Sequence, residues 1–256
     1  AVGRAQCNDA YWHGVFGGLY LRHLRNAIWR ELARAESLLR AGQTMEAEVA
    51  DVYGDGQRDV RIHGARVSAV VRPCRGGSLT ELTWLDAGVN LADVLTRRRE
   101  AYHDPDDAPG DEAPPPAATP SDDDGADPAP GGMASIHDLE ENVRFEEQPP
   151  FDLEERALFV DRVLPAGLEP EVYARGEGAA VFSWASDAFS VSSVDTADDV
   201  ATVALEAGGP GSLSKSIAVH ASGRVTVSYR WDPAAFPTDA RFAVELSLGH
   251  EAQVSG

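Results

Sequence analysis

Val225-Thr226-Val227-Ser228-Tyr229-Arg230-Trp231 places an apolar or aromatic side chain at every second position, and Phe242, Val244, Leu246 and Leu248 repeat the arrangement a few residues later. Successive side chains of a strand point to opposite faces, so a period of two marks a strand with one buried and one wet face. Val67, Ala69 and Val71, then Thr80, Leu82 and Trp84, alternate with polar or small neighbours, and strands are also expected around Phe182-Ser183-Trp184 and Phe189-Ser190-Val191. Gly54-Asp55-Gly56, Gly76-Gly77 and Gly208-Gly209-Pro210-Gly211 punctuate these runs as turns. Helical spacing is almost absent beyond about residue 46, so the chain is expected to be mainly β, a large antiparallel β-sandwich.

Ahead of the strands the period changes. Leu21, Leu24, Ile28, Leu32, Ala35 and Leu39 recur every three or four residues, the stripe of an amphipathic helix that Gly42 stops. Arg22, Arg25, Arg30, Arg34 and Glu36 fall on its other face and are expected to be solvated helix charges. The chain therefore divides into residues 1–45, with the helix, and a sandwich over 46–256. Between about 104 and 133, Asp, Pro, Ala and Gly dominate without large apolar residues; this stretch is expected to be an acidic disordered insertion within a loop of the sandwich.

The chain has 256 residues, a formal charge of −20, and Lys215 as the only lysine among 22 basic residues, which excludes a phosphate-backbone binder. Acid excess with so little lysine suits a protein working in high salt, where ions screen self-repulsion, and a halophilic source is the expectation. Cys7 and Cys74 stand far apart, giving neither a disulfide framework nor a zinc site. No apolar run reaches the ~20 residues of a membrane helix, and no signal-peptide pattern opens the chain, so a cytoplasmic protein is expected. No phosphate-cradling loop calls for a dinucleotide, and no cofactor is expected.

The densest chemistry lies in Gln6-Cys7-Asn8-Asp9-Ala10-Tyr11-Trp12-His13-Gly14-Val15-Phe16-Gly17-Gly18-Leu19-Tyr20-Leu21. Sugars offer hydroxyls in fixed directions and patches of axial C–H, so a glycan site needs planar polar groups and aromatic faces. Asn8, Asp9 and His13 supply the first; Tyr11 and Trp12 supply the second. The competing structural reading makes Tyr11, Trp12 and Phe16 core aromatics, with Asn8 and Asp9 capping the coming helix. The run resembles the last short sequence signature of glycoside hydrolase family 57, the α-amylase and 4-α-glucanotransferase group, which lies near the C-terminal edge of a β/α barrel. Residues 51–56 (Asp-Val-Tyr-Gly-Asp-Gly), 73–82 (Pro-Cys-Arg-Gly-Gly-Ser-Leu-Thr-Glu-Leu), 90–98 and 100–103 are similar to segments of that group's C-terminal β-domain.

The resemblance implies a galactose mutarotase-like sandwich preceded by a helical segment left from the barrel. It implies α-glucan or maltooligosaccharide contacts from Asn8, Asp9, Trp12 and His13, and a retaining mechanism whose nucleophilic Glu and acid/base Asp sit in barrel strands before the signature. A retaining glycosidase needs two carboxyl groups about 5–5.5 Å apart, so no catalytic residue is assigned and the chain alone is expected to be inactive, the C-terminal portion of a larger enzyme. The absence of Met at residue 1 fits truncation. Two other readings stay open: a non-catalytic carbohydrate-binding or structural sandwich, and an aldose epimerase using Glu100 and His103. Asp51, Asp55 and Asp59 invite calcium, but Tyr53 and Ile62 stand where an EF-hand loop needs ligands, so a hairpin turn is the preferred reading and no metal is assigned.

Overall fold

The two-residue period resolves into two antiparallel sheets in the computed structural model, which describes residues 1–12, 17–99 and 151–249. The larger sheet contains β1 (Glu46–Ala50), β2 (Asp59–His63), β3 (Val67–Arg72), β4 (Ser78–Trp84), β6 (Leu158–Leu164) and β12 (Arg241–Leu246) in that spatial order. Two short strands join it, β5 (Val89–Asn90) on β4 and β7 (Phe182–Ser183) on β6. The second sheet runs β11 (Val225–Trp231), β10 (Leu213–His220), β9 (Val200–Ala207), β8 (Ser190–Ala197).

The core lies between the sheets. Val60, Ile62, Val67, Ala69, Val71 and Leu79 of the larger sheet belong to one buried cluster with Val203, Leu205, Leu213, Ile217 and Val219 of the smaller. Each fully buried Val, Leu or Ile side chain among these contributes roughly 1.5–3 kcal/mol. Trp184, fully buried, meets Phe182 edge-on at 4.9 Å and Phe236 at 5.9 Å between ring centroids, closing one end of that core. The alternation in β3 marks a single inward face, yet all six of its residues are buried. The hairpin at residues 51–59 folds over the outward side at Arg72, where Asp55 and Asp59 both pair with the guanidinium.

The N-terminal stretch forms a short helix α1 (Val2–Ala5), a single 3-10 turn at Asn8–Ala10, a second at Gly18–Tyr20, and α2 (Arg22–Leu39). On α2 the predicted stripe holds at Ile28, which is buried, and fails at Leu39, which is 76% exposed in the last turn. Gly42, two residues past the C-cap at Arg40, takes φ +76 in a turn closed by the Gln43 N–H donating to the Arg40 carbonyl at 3.0 Å. A further short helix, α3 (Pro170–Ala174), has Pro170 at its start, where the missing N–H costs nothing.

Two of the expected solvated charges on α2 are instead docking groups. Arg25 is only 13% exposed and pairs with Asp93. Glu36 is 17% exposed and pairs with Arg61 of β2 at 3.4 Å and with Arg40 at 3.6 Å. The helix is held on the larger sheet by charge pairs as well as by its apolar stripe, and one-dimensional periodicity does not reveal which polar residues face a neighbour.

Among the described residues, those up to Thr96 and from Asp152 onward belong to one compact unit. The acidic stretch expected at about 104–133 lies outside the described residues, as do Glu100 and His103. No helix among the described residues is long and apolar enough to cross a membrane.

Candidate functional site

Residues 8–12 fold as a tight 3-10 turn and its exit. The backbone N–H of Tyr11 donates to the Asn8 carbonyl at 2.9 Å, and the Tyr11 hydroxyl donates to the carbonyl of Ala5 at 2.7 Å. The N–H of Leu19 returns to the carbonyl of Trp12 at 2.8 Å, so the two ends of the glycine-bearing loop are fastened together. Gly17 takes φ +91 beside the Leu21 side chain, a conformation that a Cβ would strain.

This arrangement decides part of the competition between core and surface readings. Tyr11 is 59% and Trp12 48% exposed, so neither is a core aromatic. Asn8 and Asp9 are exposed as well, and α2 begins at an N-cap of Leu21 with no side-chain cap bond, so neither residue caps it. Asn8, Asp9 and Trp12 thus come together on one short, backbone-fastened segment open to solvent. His13 and Phe16 lie outside the described residues.

Beside this segment a cleft of about 440 Å³ opens between it and α2. Asp9, Cys7 and Ala10 line one side; Leu24, Ala27 and Ile28 line the other. Arg4 bridges the two sides by donating to Glu31 at 2.9 Å, and that hydrogen bond holds the Glu31 carboxyl below its ordinary range. Asp9 faces this cleft, whereas Asn8 and Trp12 are not part of its lining. The wall carries the carboxylates of Asp9 and Glu31, the latter held by Arg4, and the guanidinium of Arg30 beside its apolar groups, which makes it a partial site for a hydroxylated ligand.

The aspartate turn has a different chemistry from the calcium loop it invites comparison with. The Asp51 carboxylate accepts backbone N–H groups of Asp55 at 3.1 Å and Gly56 at 2.9 Å. Asp55 accepts from Gln57 N–H at 3.0 Å, which lowers its carboxyl, and pairs with Arg72. Asp59 lies 3.3 Å from Arg72 Nε, its carboxyl raised by burial against the arginine's opposing pull. The position between Asp55 and Asp59 is filled by a guanidinium. Among the described residues no group of three or more His, Cys, Asp or Glu could hold a metal ion.

The most deeply buried polar contact was not singled out from the sequence. Lys215, on the inward face of β10, pairs with Asp161 of β6 at 2.6 Å, both side chains fully buried. Its ammonium also donates to the carbonyls of Phe159 at 2.7 Å and of Gly76 and Gly77 at 3.1 Å each. Phe159 adopts φ +62, rare for a bulky residue, and its carbonyl meets the lysine. Burial pulls the ammonium down and pushes the carboxyl of Asp161 up, each opposed by the other's charge. The signal was present: Leu213, Lys215, Ile217 and Val219 share one face of β10, and a lone charge there needs a buried partner.

The C-terminal region of the family described as alpha-amylase/4-alpha-glucanotransferase matches residues 51–254, and its middle domain matches residues 1–39. A 4-alpha-glucanotransferase of Thermococcus kodakarensis is 34% identical over 249 residues, covering 96% of this chain and 34% of that protein. An alpha-amylase of Pyrococcus furiosus is 38% identical over 176 residues, covering 67% of this chain and 23% of that protein. The crystal structure of 4-alpha-glucanotransferase from Thermococcus litoralis superposes with a TM-score of 0.63 at 23% identity, covering 95% of this chain and 32% of that one, a likeness of fold. The chain thus spans about a third or less of the length of these relatives.

Proposed function

Since the chain belongs to the alpha-amylase/4-alpha-glucanotransferase family, whose C-terminal region it matches over residues 51–254, we propose that it is the C-terminal portion of a family 57 enzyme processing α-1,4-glucans by a retaining mechanism. In this reading residues 1–45 form the C-terminal edge of the catalytic barrel and 46–256 the sandwich. The chain contributes Asn8, Asp9, Trp12 and His13 to glucan binding, while the catalytic carboxylates come from elsewhere in the longer enzyme.

The observation that carries this reading is the joint exposure of Asn8, Asp9 and Trp12 on a segment fastened by the Tyr11–Ala5 and Leu19–Trp12 hydrogen bonds. An accessible indole stacks on the C–H face of a glucosyl ring, and the amide and carboxylate accept or donate to its hydroxyls. Whether water or a sugar hydroxyl then attacks the glycosyl-enzyme intermediate separates hydrolysis from transglycosylation, and neither group belongs to this segment.

The test is titration of the chain with maltoheptaose alongside an assay for starch turnover. Trp12→Ala is expected to weaken binding roughly tenfold, equivalent to about 1.4 kcal/mol, and the chain is expected to release no sugar from starch. Binding indifferent to Trp12→Ala overturns the N-terminal assignment. Clear turnover overturns the location of the carboxylates. The two free cysteines, Cys7 and Cys74, support a cytoplasmic setting for the enzyme, and the charge of −20 supports one rich in salt.

A further inference from the structure

Two of the family-like stretches, residues 51–56 and 73–82, are brought together by contacts that neither stretch foretells. The Tyr53 hydroxyl and Thr80 Oγ1 lie 2.7 Å apart, and the Arg72 guanidinium stacks on the Tyr53 ring 4.3 Å from its centroid. Asp55 and Asp59 both pair with that guanidinium. Tyr53 is therefore held at its hydroxyl and against a guanidinium, and it remains 47% exposed.

Thr80 also lines a cavity of about 240 Å³ together with Ser78, Arg75, Glu155 and Ser186. Its apolar part is supplied by Ala157 and Val160, both buried. Arg75 and Glu155 pair with each other, so the cavity carries hydroxyls and a self-neutralised ion pair and no uncompensated charge. That balance disfavours a phosphate or carboxylate ligand and suits a neutral polyol. The volume falls below the roughly 300–1,000 Å³ of sites for drug-sized ligands and suits one small ring. The cavity shares no lining residue with the cleft beside Asp9.

We infer that this cavity, with Tyr53 as a stacking platform at its rim, is a second carbohydrate site on the sandwich that takes a single glucosyl unit of an α-glucan. The identity of the sugar rests on the α-glucan reading above; the site itself rests on the cavity and its fixed aromatic rim. Its role is to anchor a chain already engaged near Trp12, raising the local concentration of polymer through a second weak contact.

The test uses the chain with its N-terminal site disabled. The Trp12→Ala variant, titrated with maltoheptaose, is expected to retain weak saturable binding. Adding Tyr53→Ala, which removes the platform, or Ser186→Trp, which plugs the mouth from an exposed position, is expected to raise the Kd at least tenfold. Far-UV circular dichroism and melting confirm that each variant folds. If Trp12→Ala alone abolishes binding, or if both additions leave the Kd unchanged, the second site is refuted while the N-terminal assignment stands or falls on Trp12 by itself. If the unaltered chain binds no maltoheptaose, both assignments fail together.

Discussion

Arg25 on α2 and Asp93 just beyond β5 meet side-on, with Nε 3.1 and 3.2 Å from the two carboxylate oxygens across 68 residues of sequence. The same guanidinium donates to the Leu19 carbonyl, so one side chain joins the loop after Trp12, the helix and the sandwich. Both partners are nearly buried, at 13% and 12% exposure, so the pair is shielded from the screening that weakens surface ion pairs. The orientation of the N-terminal segment on the sheet follows from this contact more than from helix propensity.

A double-mutant cycle on Arg25→Ala and Asp93→Ala is therefore expected to give a coupling of about 0.5–3 kcal/mol, the range for residues sharing one network. Urea unfolding measures it. Strictly additive losses mean that α2 is held by its apolar stripe alone.

Lys215→Met leaves Asp161 buried without its cation and is expected to cost about 3–5 kcal/mol. The double change Lys215→Met with Asp161→Leu restores only part of this, because the carbonyls of Gly76, Gly77 and Phe159 also lose their donor. Chemical denaturation of the three proteins checks the order. A single-variant loss below about 1 kcal/mol contradicts the pair's role in joining the sheets.

His63 is 3% exposed, with Nδ1 unpartnered and Nε2 3.9 Å from Glu48. Burial lowers its pKa, and Arg40 and Arg61 push the same way against Glu46 and Glu48. Below the unfolded value of about 6.5 the unfolded chain binds a proton that the folded one refuses. Stability therefore falls as pH drops from there toward the lowered folded pKa, by up to about 1.4 kcal/mol per pH unit. The difference in urea midpoint between pH 7.5 and 5.5 is expected to shrink in His63→Gln. An equal difference in both proteins assigns the whole effect to carboxylates.

With a formal charge of −20, the melting temperature is expected to rise between ~0.1 M and ~1 M NaCl, as the screening length contracts from about 10 Å to 3 Å. A melting temperature that is flat or falls over that range removes the argument for a high-salt protein.

Several features were legible because they are local and periodic. The alternation at residues 225–231 became β11 and that from Phe242 to Leu246 became β12, which stops short of Leu248, and the three-and-four spacing from Leu21 became α2. The chemical density of residues 6–21 marked the segment in which Asn8, Asp9 and Trp12 are exposed together. β9 and β10 carry the same inward alternation, and in β10 it is interrupted by Lys215, a charge that a partner from the opposite sheet makes tolerable.

The sequence by itself determined the sheet-rich architecture, the amphipathic helix and the sign of the surface field, since propensity, period and net charge are sums over neighbouring residues. Tertiary structure alone decided that Arg25 and Glu36 dock, that a guanidinium fills the gap between Asp55 and Asp59, and that Tyr53 reaches Thr80. Those outcomes depend on which distant carboxylate, carbonyl or hydroxyl the strand order brings within about 3 Å, the length at which a hydrogen bond forms, and no local pattern encodes that distance.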